Sequence, residues 1–266
     1  MFHALVSGAV PCRARFAPWL ADIEELNRRA LGHDSRPPLA VSKVSAAALG
    51  HLTRDYAVLN AGAALGRGNG PLVLRRGGDA GKPDLAALSG CTVAIPGERT
   101  TANLLLSIFG PPDLRRVTMR FDAIMPAVAR GEVDAGLVIH ESRFTFAEHG
   151  LAAVADLGEV WEADTGLPLP LGVIVAQRAL GELAEAVDEG LARSVAHAFA
   201  HPDTSAAYVR QHAQEMAPEV CRRHIELYVG PFSADLGSEG RAAVQTLLAR
   251  GAATGLLPAD SPSPWR

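Results

Sequence analysis

Apolar positions along this chain follow two periods, and the order in which those periods alternate points to the fold class. Short apolar runs with strand character occur at Tyr56–Leu59, Pro71–Leu74, Cys91–Ile95, Val117–Arg120, Val133–Ile139 and Gly172–Ala176, and Leu39–Val41 is a shorter one. Helical spacing appears at Leu20, Ile23, Leu26, Ala30 and Leu31, with Pro18 before and Gly32 after. It returns at Leu183, Val187, Leu191, Val195 and Phe199, which end at the breaker His201-Pro202. Further helices are predicted at Phe2–Val10, Ala206–Met216, Glu219–Tyr228 and Arg241–Arg250.

Between residues 91 and 140 the order is strand, helix, strand, helix, strand, with Asp122 as the expected cap of the second helix and Gly131 as its end. That order implies a small parallel sheet with right-handed crossovers. Met125, Val128 and Ala129 mark the apolar face of the second helix. Polar or proline-studded crossings near residues 77–85 and 165–170 then divide the chain into two lobes joined by a hinge. Residues 1–84 with 170–266 form the first lobe, and 85–169 the second. The expected fold class is α/β, two-lobed, with mostly parallel sheets.

Glycines cluster in GAALGRGNG, Gly62 to Gly70. A phosphate cradle needs a G-x-x-x-x-G-K-[ST] or G-x-G-x-x-G spacing, and this run has neither, so a tight connection is the expectation.

Composition narrows the function classes. Of 266 residues, 48% are hydrophobic and 20% charged, which suits a globular chain with a substantial core. A formal charge of −4 without a basic block argues against nucleic acid or an anionic membrane surface as partner. Cys12, Cys91 and Cys221 have no C-x-x-C spacing, and the nine histidines form no H-E-x-x-H or H-x-H pattern. Neither a disulfide framework nor a metal site is suggested. No apolar run approaches the roughly 20 residues of a membrane helix. The start, MFHALVSGAVPC, lacks a positive leader, and cytoplasmic residence is the simplest expectation.

Candidate chemistry gathers at strand ends. The run GEVDAGLVIHESRFTF delivers His140 after an apolar strand and follows it with Glu141, Ser142 and Arg143. Ligands of open α/β sheets collect beyond the carboxyl ends of strands, and an unperturbed imidazole, pKa about 6.5, suits proton transfer near neutrality. A hydrogen-bonded structural histidine is the competing reading. His140 and Glu141, as strand neighbours, should face opposite sides, leaving Glu141 to fix the loop through Arg143 or another cation. Thr100-Thr101-Ala102 opens a helix after a strand and loop, which is either plain capping or a site for an anion. Lys43 and Ser45 stand at another predicted strand end. His197, His201, His212 and His224 read as surface or packing residues. No G-x-S-x-G elbow supports a hydrolase.

Four separated runs, ALGRGNGPLVLRR, VAIPGERTTANLLL, FDAIMPAVARGEVDAGLVIHESRFTF and DLGEVWEADTGLPLPLG, closely resemble the 1,4-dihydroxy-6-naphthoate synthases of the futalosine route to menaquinone. ADIEELNRRAL and AQEM…HIELYVGPFSADLG extend the likeness over essentially the whole chain. The resemblance implies a fold like that of type 2 periplasmic binding proteins. It implies a carbon–carbon lyase, free of metal and organic cofactors, that converts cyclic dehypoxanthinyl futalosine, a carboxylated small molecule, to 1,4-dihydroxy-6-naphthoate. In that family the V-I-H-E-S-R histidine, here His140, is the proposed general base in a cleft between the lobes. Substrate contacts correspond to Lys43, Val44 and Ser45 and to Thr101 and Ala102, with Thr100 beside them. Lobe closure would exclude water and position the base. Family members also carry a strand and polar loop before the segment matching Phe2–Leu5, so the resemblance implies a start internal to a longer chain. Two other readings share the fold. A solute-binding protein of a transporter calls for a secretory leader, and the chorismate dehydratase of the same pathway has no need of a histidine at position 140.

Overall fold

In the computed structural model, which describes residues 1–79, 84–212 and 217–266, the strands gather into two sheets. The chain divides into two units, residues 1–66 with 170–266 and residues 67–169.

The first unit begins with α1 (His3–Val6), α2 (Ile23–Ala30), β1 (Val41–Ser45), α3 (Ala46–Leu49), β2 (Tyr56–Val58) and β3 (Ala64–Gly66). A four-residue helix such as α1 has no stability alone. It persists because Ala4 and Leu5 are buried with Val187 and Leu191 of a later helix, in a core that also takes Leu59 and Ile174. In α2 the carboxylate of Asp22 accepts from Glu24 N at 2.8 Å, so the helix starts at Ile23 rather than near Pro18. Leu20, expected on its apolar face, is 59% exposed. The buried residues of α2 are Asn27 and Ala30.

The second unit contains β4 (Leu72–Arg76), β5 (Thr92–Ile95), α4 (Thr101–Phe109), β6 (Arg115–Thr118), α5 (Phe121–Arg130), β7 (Ala135–Val138), α6 (Ser142–Thr145), β8 (Leu151–Asp156) and α7 (Leu157–Thr165). Its strand order is β6-β5-β7-β4-β8. The expected parallel pairing is present in β6-β5-β7, while β4 pairs antiparallel with both β7 and β8. Those bonds carry β4 into the second unit, so the first boundary falls at 66/67 and not at 84/85. The expected crossing falls partly on residues 80–83, outside the described residues.

All four residues of β7 are buried, and α5 lies directly on them. A Cβ on Gly136 would stand 2.5 Å from Ile124 Cγ2 and 2.7 Å from Val128 Cγ2, so only glycine allows this approach. Ile124, Met125, Ala127 and Val128 line that face, and Ala129 is exposed. Arg120, not Asp122, occupies the cap position of α5; Asp122 sits in the first turn and pairs with Arg120. At the free end of the sheet, all four residues of β6 are exposed.

The chain returns through β9 (Leu169–Gln177), which starts before the expected Gly172, and continues as α8 (Glu182–Ala200), α9 (Ala206–His212), α10 (Pro218–Tyr228), α11 (Pro231–Ala234) and α12 (Gly237–Ala253). The end of the helix expected at Ala206–Met216 lies outside the described residues. β9 is central to the first sheet, pairing antiparallel with β1 and with β2. On α8 the buried stripe is Ala184, Val187, Gly190, Leu191, Ser194 and Val195, while Leu183 and Phe199 are 40% and 52% exposed. The burial follows the angle of 3.6 residues per turn around Val187 and Leu191, which the ends of the predicted row leave. Among the described residues, no helix is long and apolar enough to cross a membrane.

Candidate functional site

Lys43, Val44 and Ser45 lie together on β1 of the first unit, opposite Ile174, Val173 and Gly172 of β9. Val44 is fully buried, main chain and side chain alike, and pairs with Val173 of β9. Removal from water pulls the Lys43 ammonium below the ordinary lysine range. Ser45 is 3% exposed and sits at the cap position of α3, yet its hydroxyl makes no capping bond. It is engaged by the buried Asn27 instead, which donates from Nδ2 to Ser45 Oγ at 3.0 Å and accepts from Ser45 N at 2.8 Å.

His224 of α10 is half-buried in the same unit. Burial, and then the positive charge of Lys43, hold its imidazole down at about 4, so it is neutral near pH 7. It was expected to be a surface or packing residue. Its nearness to Lys43 is a tertiary fact that the spacing of histidines in the chain does not carry.

In the second unit, the parallel register of β6, β5 and β7 brings three carboxyl ends to one edge of the sheet. From these ends the chain enters the start of α5 at Phe121, the start of α4 at Thr100 to Ala102, and the turn at His140. Thr100 is committed locally: its hydroxyl donates to Gly97 O at 2.8 Å and accepts from Asn103 N at 3.2 Å. Thr100 thus caps α4. Thr101 and Ala102 are buried in the first turn of α4.

His140 stands two residues beyond β7, in a turn rather than on the strand tip, so strand alternation does not govern its direction or that of Glu141. Its φ is +59°, the one positive value at a non-glycine position among the described residues. Left-handed backbone costs an L-residue about 1–2 kcal/mol and tends to survive where surrounding structure imposes it for function. Phe121 packs against the imidazole edge-on, with centroids 5.4 Å apart and planes at 75°.

The turn is tied down by Arg143. Its guanidinium donates to Gly70 O and pairs with Asp156 at 2.7 Å. Asp156 also caps α7 by accepting from Gly158 N at 2.8 Å. A Cβ on Gly70 would lie 2.2 Å from Gly158 N. The glycine cluster is thus a close connection that lets residue 70 meet the start of α7, and part of it, β3, is a strand.

The menaquinone-biosynthesis family matches residues 1–253. The chain belongs to that family. A protein of Thermus thermophilus named 1,4-dihydroxy-6-naphthoate synthase is 50% identical over 99% of this chain and 93% of its own length. A Streptomyces coelicolor protein of the same name is 47% identical over 98% and 92%. The resemblance read from the sequence holds on both. Among solved structures, a protein of Archaeoglobus fulgidus superposes with a TM-score of 0.87 at 35% identity, covering 96% of this chain and 93% of its own. An alkanesulfonate-binding protein of Xanthomonas axonopodis pv. citri, bound to MOPS, gives 0.68 at 18% identity over 96% and 88%. That second likeness shows a periplasmic-binding-protein-like fold alone. It does not favour the transporter reading, and neither relative carries the dehydratase name.

Proposed function

We propose that this protein is the carbon–carbon lyase that converts cyclic dehypoxanthinyl futalosine to 1,4-dihydroxy-6-naphthoate, with His140 as general base. Near-full-length identity of 50% and 47% to proteins named for that product supports the reaction. The observation that carries the assignment of the base is the left-handed His140, held just beyond β7 where three parallel carboxyl ends meet. An imidazole fixed by Phe121 and by the Arg143–Asp156 anchor needs little reorganisation to take a proton from the substrate. Proton removal would start ring opening and loss of the sugar-derived fragment.

Substrate contacts in this reading are Lys43, Val44 and Ser45, with Thr101 and Ala102 at the start of α4. A desolvated ammonium and a hydroxyl suit an aromatic carboxylate, and so do main-chain N–H groups of a helix start. Thr100 shapes that start. Cys12, Cys91 and Cys221 form no disulfide with one another, which supports a reducing, cytoplasmic setting. Turnover by the wild-type protein and by His140→Asn tests the assignment. Lost turnover with retained substrate binding supports the base; undiminished turnover overturns it.

A further inference from the structure

The amide of Asn27 is wholly buried, on a helix whose other buried residue is an alanine. Its orientation is decided by two partners of opposite kind. Ser45 N–H can only donate, so the atom facing it at 2.8 Å is the carbonyl oxygen. The Glu24 carboxylate only accepts, so the atom 3.1 Å from it is the NH2 group. The same NH2 group donates to Ser45 Oγ at 3.0 Å.

The polarity of Ser45 follows. Its oxygen accepts from an amide NH2 that cannot accept in return, so the hydroxyl proton points to another acceptor. We infer that Asn27 is a positioning residue that fixes Ser45 as a hydrogen-bond donor to an acceptor oxygen of the bound substrate, a carboxylate or hydroxyl oxygen. The inference rests on the reading of Ser45 as a substrate contact. Asn27 acts through Ser45, not on the reacting atoms.

A hydroxyl held in one polarity before binding loses less rotational freedom on binding, and it selects ligands that present an acceptor at that point. The selection is a matter of chemistry: an amine or amide N–H placed there would face a donor.

The experiment is a double-mutant cycle on steady-state turnover of cyclic dehypoxanthinyl futalosine. Ser45→Ala should raise KM by about tenfold with a much smaller change in kcat. Asn27→Ala should raise KM similarly, and the double variant should match Ser45→Ala within about twofold, since the amide acts only through the hydroxyl. Should Asn27→Ala fail to fold, Asn27→Asp made together with Glu24→Gln keeps the size and the acceptor facing Ser45 N while removing the donor to Oγ. It should raise KM in the Ser45 protein and leave it unchanged in the Ser45→Ala protein. If Ser45→Ala has an unaltered KM, the substrate-contact reading falls, and this inference with it. If Ser45→Ala is impaired but a change at Asn27 multiplies KM again in its background, only the inference is overturned.

Discussion

The guanidinium of Arg143 meets the carboxylate of Asp156 at 2.7 Å, with both side chains mostly withdrawn from solvent, at 16% and 10% exposed. The pair ties the turn carrying His140 to the start of α7. Removing one partner strands the other, which costs about 3–5 kcal/mol in a buried pair. Asp156 also caps α7, a further contribution of about 1 kcal/mol. Asp156→Ala should therefore lower stability more than Arg143→Ala, as read by urea denaturation. Equal losses would mean the cap is idle. Arg143→Ala should also lower kcat more than it raises KM, and Arg143→Lys should restore only part of the loss.

Relief of backbone strain should separate stability from activity at position 140. Glycine adopts positive φ freely, so His140→Gly should be at least as stable as the wild type, by up to about 1–2 kcal/mol, while turnover is lost. His140→Val should be the least stable of the three, because a branched side chain fits that backbone worst. Thermal unfolding of the set gives the order. A destabilised glycine variant would show that the imidazole's packing on Phe121 outweighs the strain.

At Gly70 the obstacle is contact. A methyl group 2.2 Å from the backbone nitrogen of Gly158 forces the two segments apart, so Gly70→Ala should cost about 1–3 kcal/mol or more. The loss should include turnover, since Gly70 O accepts from Arg143. Gly78→Ala, where nothing lies within 4 Å, is the matched control and should be close to neutral.

Stability should also rise with pH because of His224. Its folded pKa of about 4 lies below the ordinary 6.5, so in that window the unfolded chain binds more protons. The contribution is complete above about pH 6.5 and is lost as pH falls toward 4, with an upper limit of about 3 kcal/mol. His224→Asn should flatten the dependence of denaturation midpoint on pH between those values. Lys43→Met removes a repelling charge and should flatten it in part.

Much of this fold is legible in the chain because its strands are short apolar runs between turn residues. The strands expected at Cys91–Ile95 and Tyr56–Leu59 match the structure within a residue or two, and so does the helix expected to open at Thr100-Thr101-Ala102. Long-range pairing is what local pattern does not carry. β4 looks like the end of the first lobe until its bonds to β7 and β8 are seen, and the antiparallel course of β9 has no local signal. His140 announces itself by following a buried strand, but its left-handed backbone and the Arg143–Asp156 anchor are tertiary outcomes. Asn27 was within reach: it shares a helical face with Ile23 and Ala30, and a polar residue in that phase signals a buried hydrogen-bonding task.

The free edge of the second sheet has a consequence for solubility. Among the described residues no strand pairs with the outer side of β6, and such an edge is the template on which aggregates grow. Its side chains are Arg115, Arg116, Val117 and Thr118, all exposed, so an approaching copy of the same edge brings two guanidinium groups against two more. The arginines serve as gatekeepers, and a chain bearing apolar residues in their place would be expected to keep its activity while losing its tolerance of high concentration.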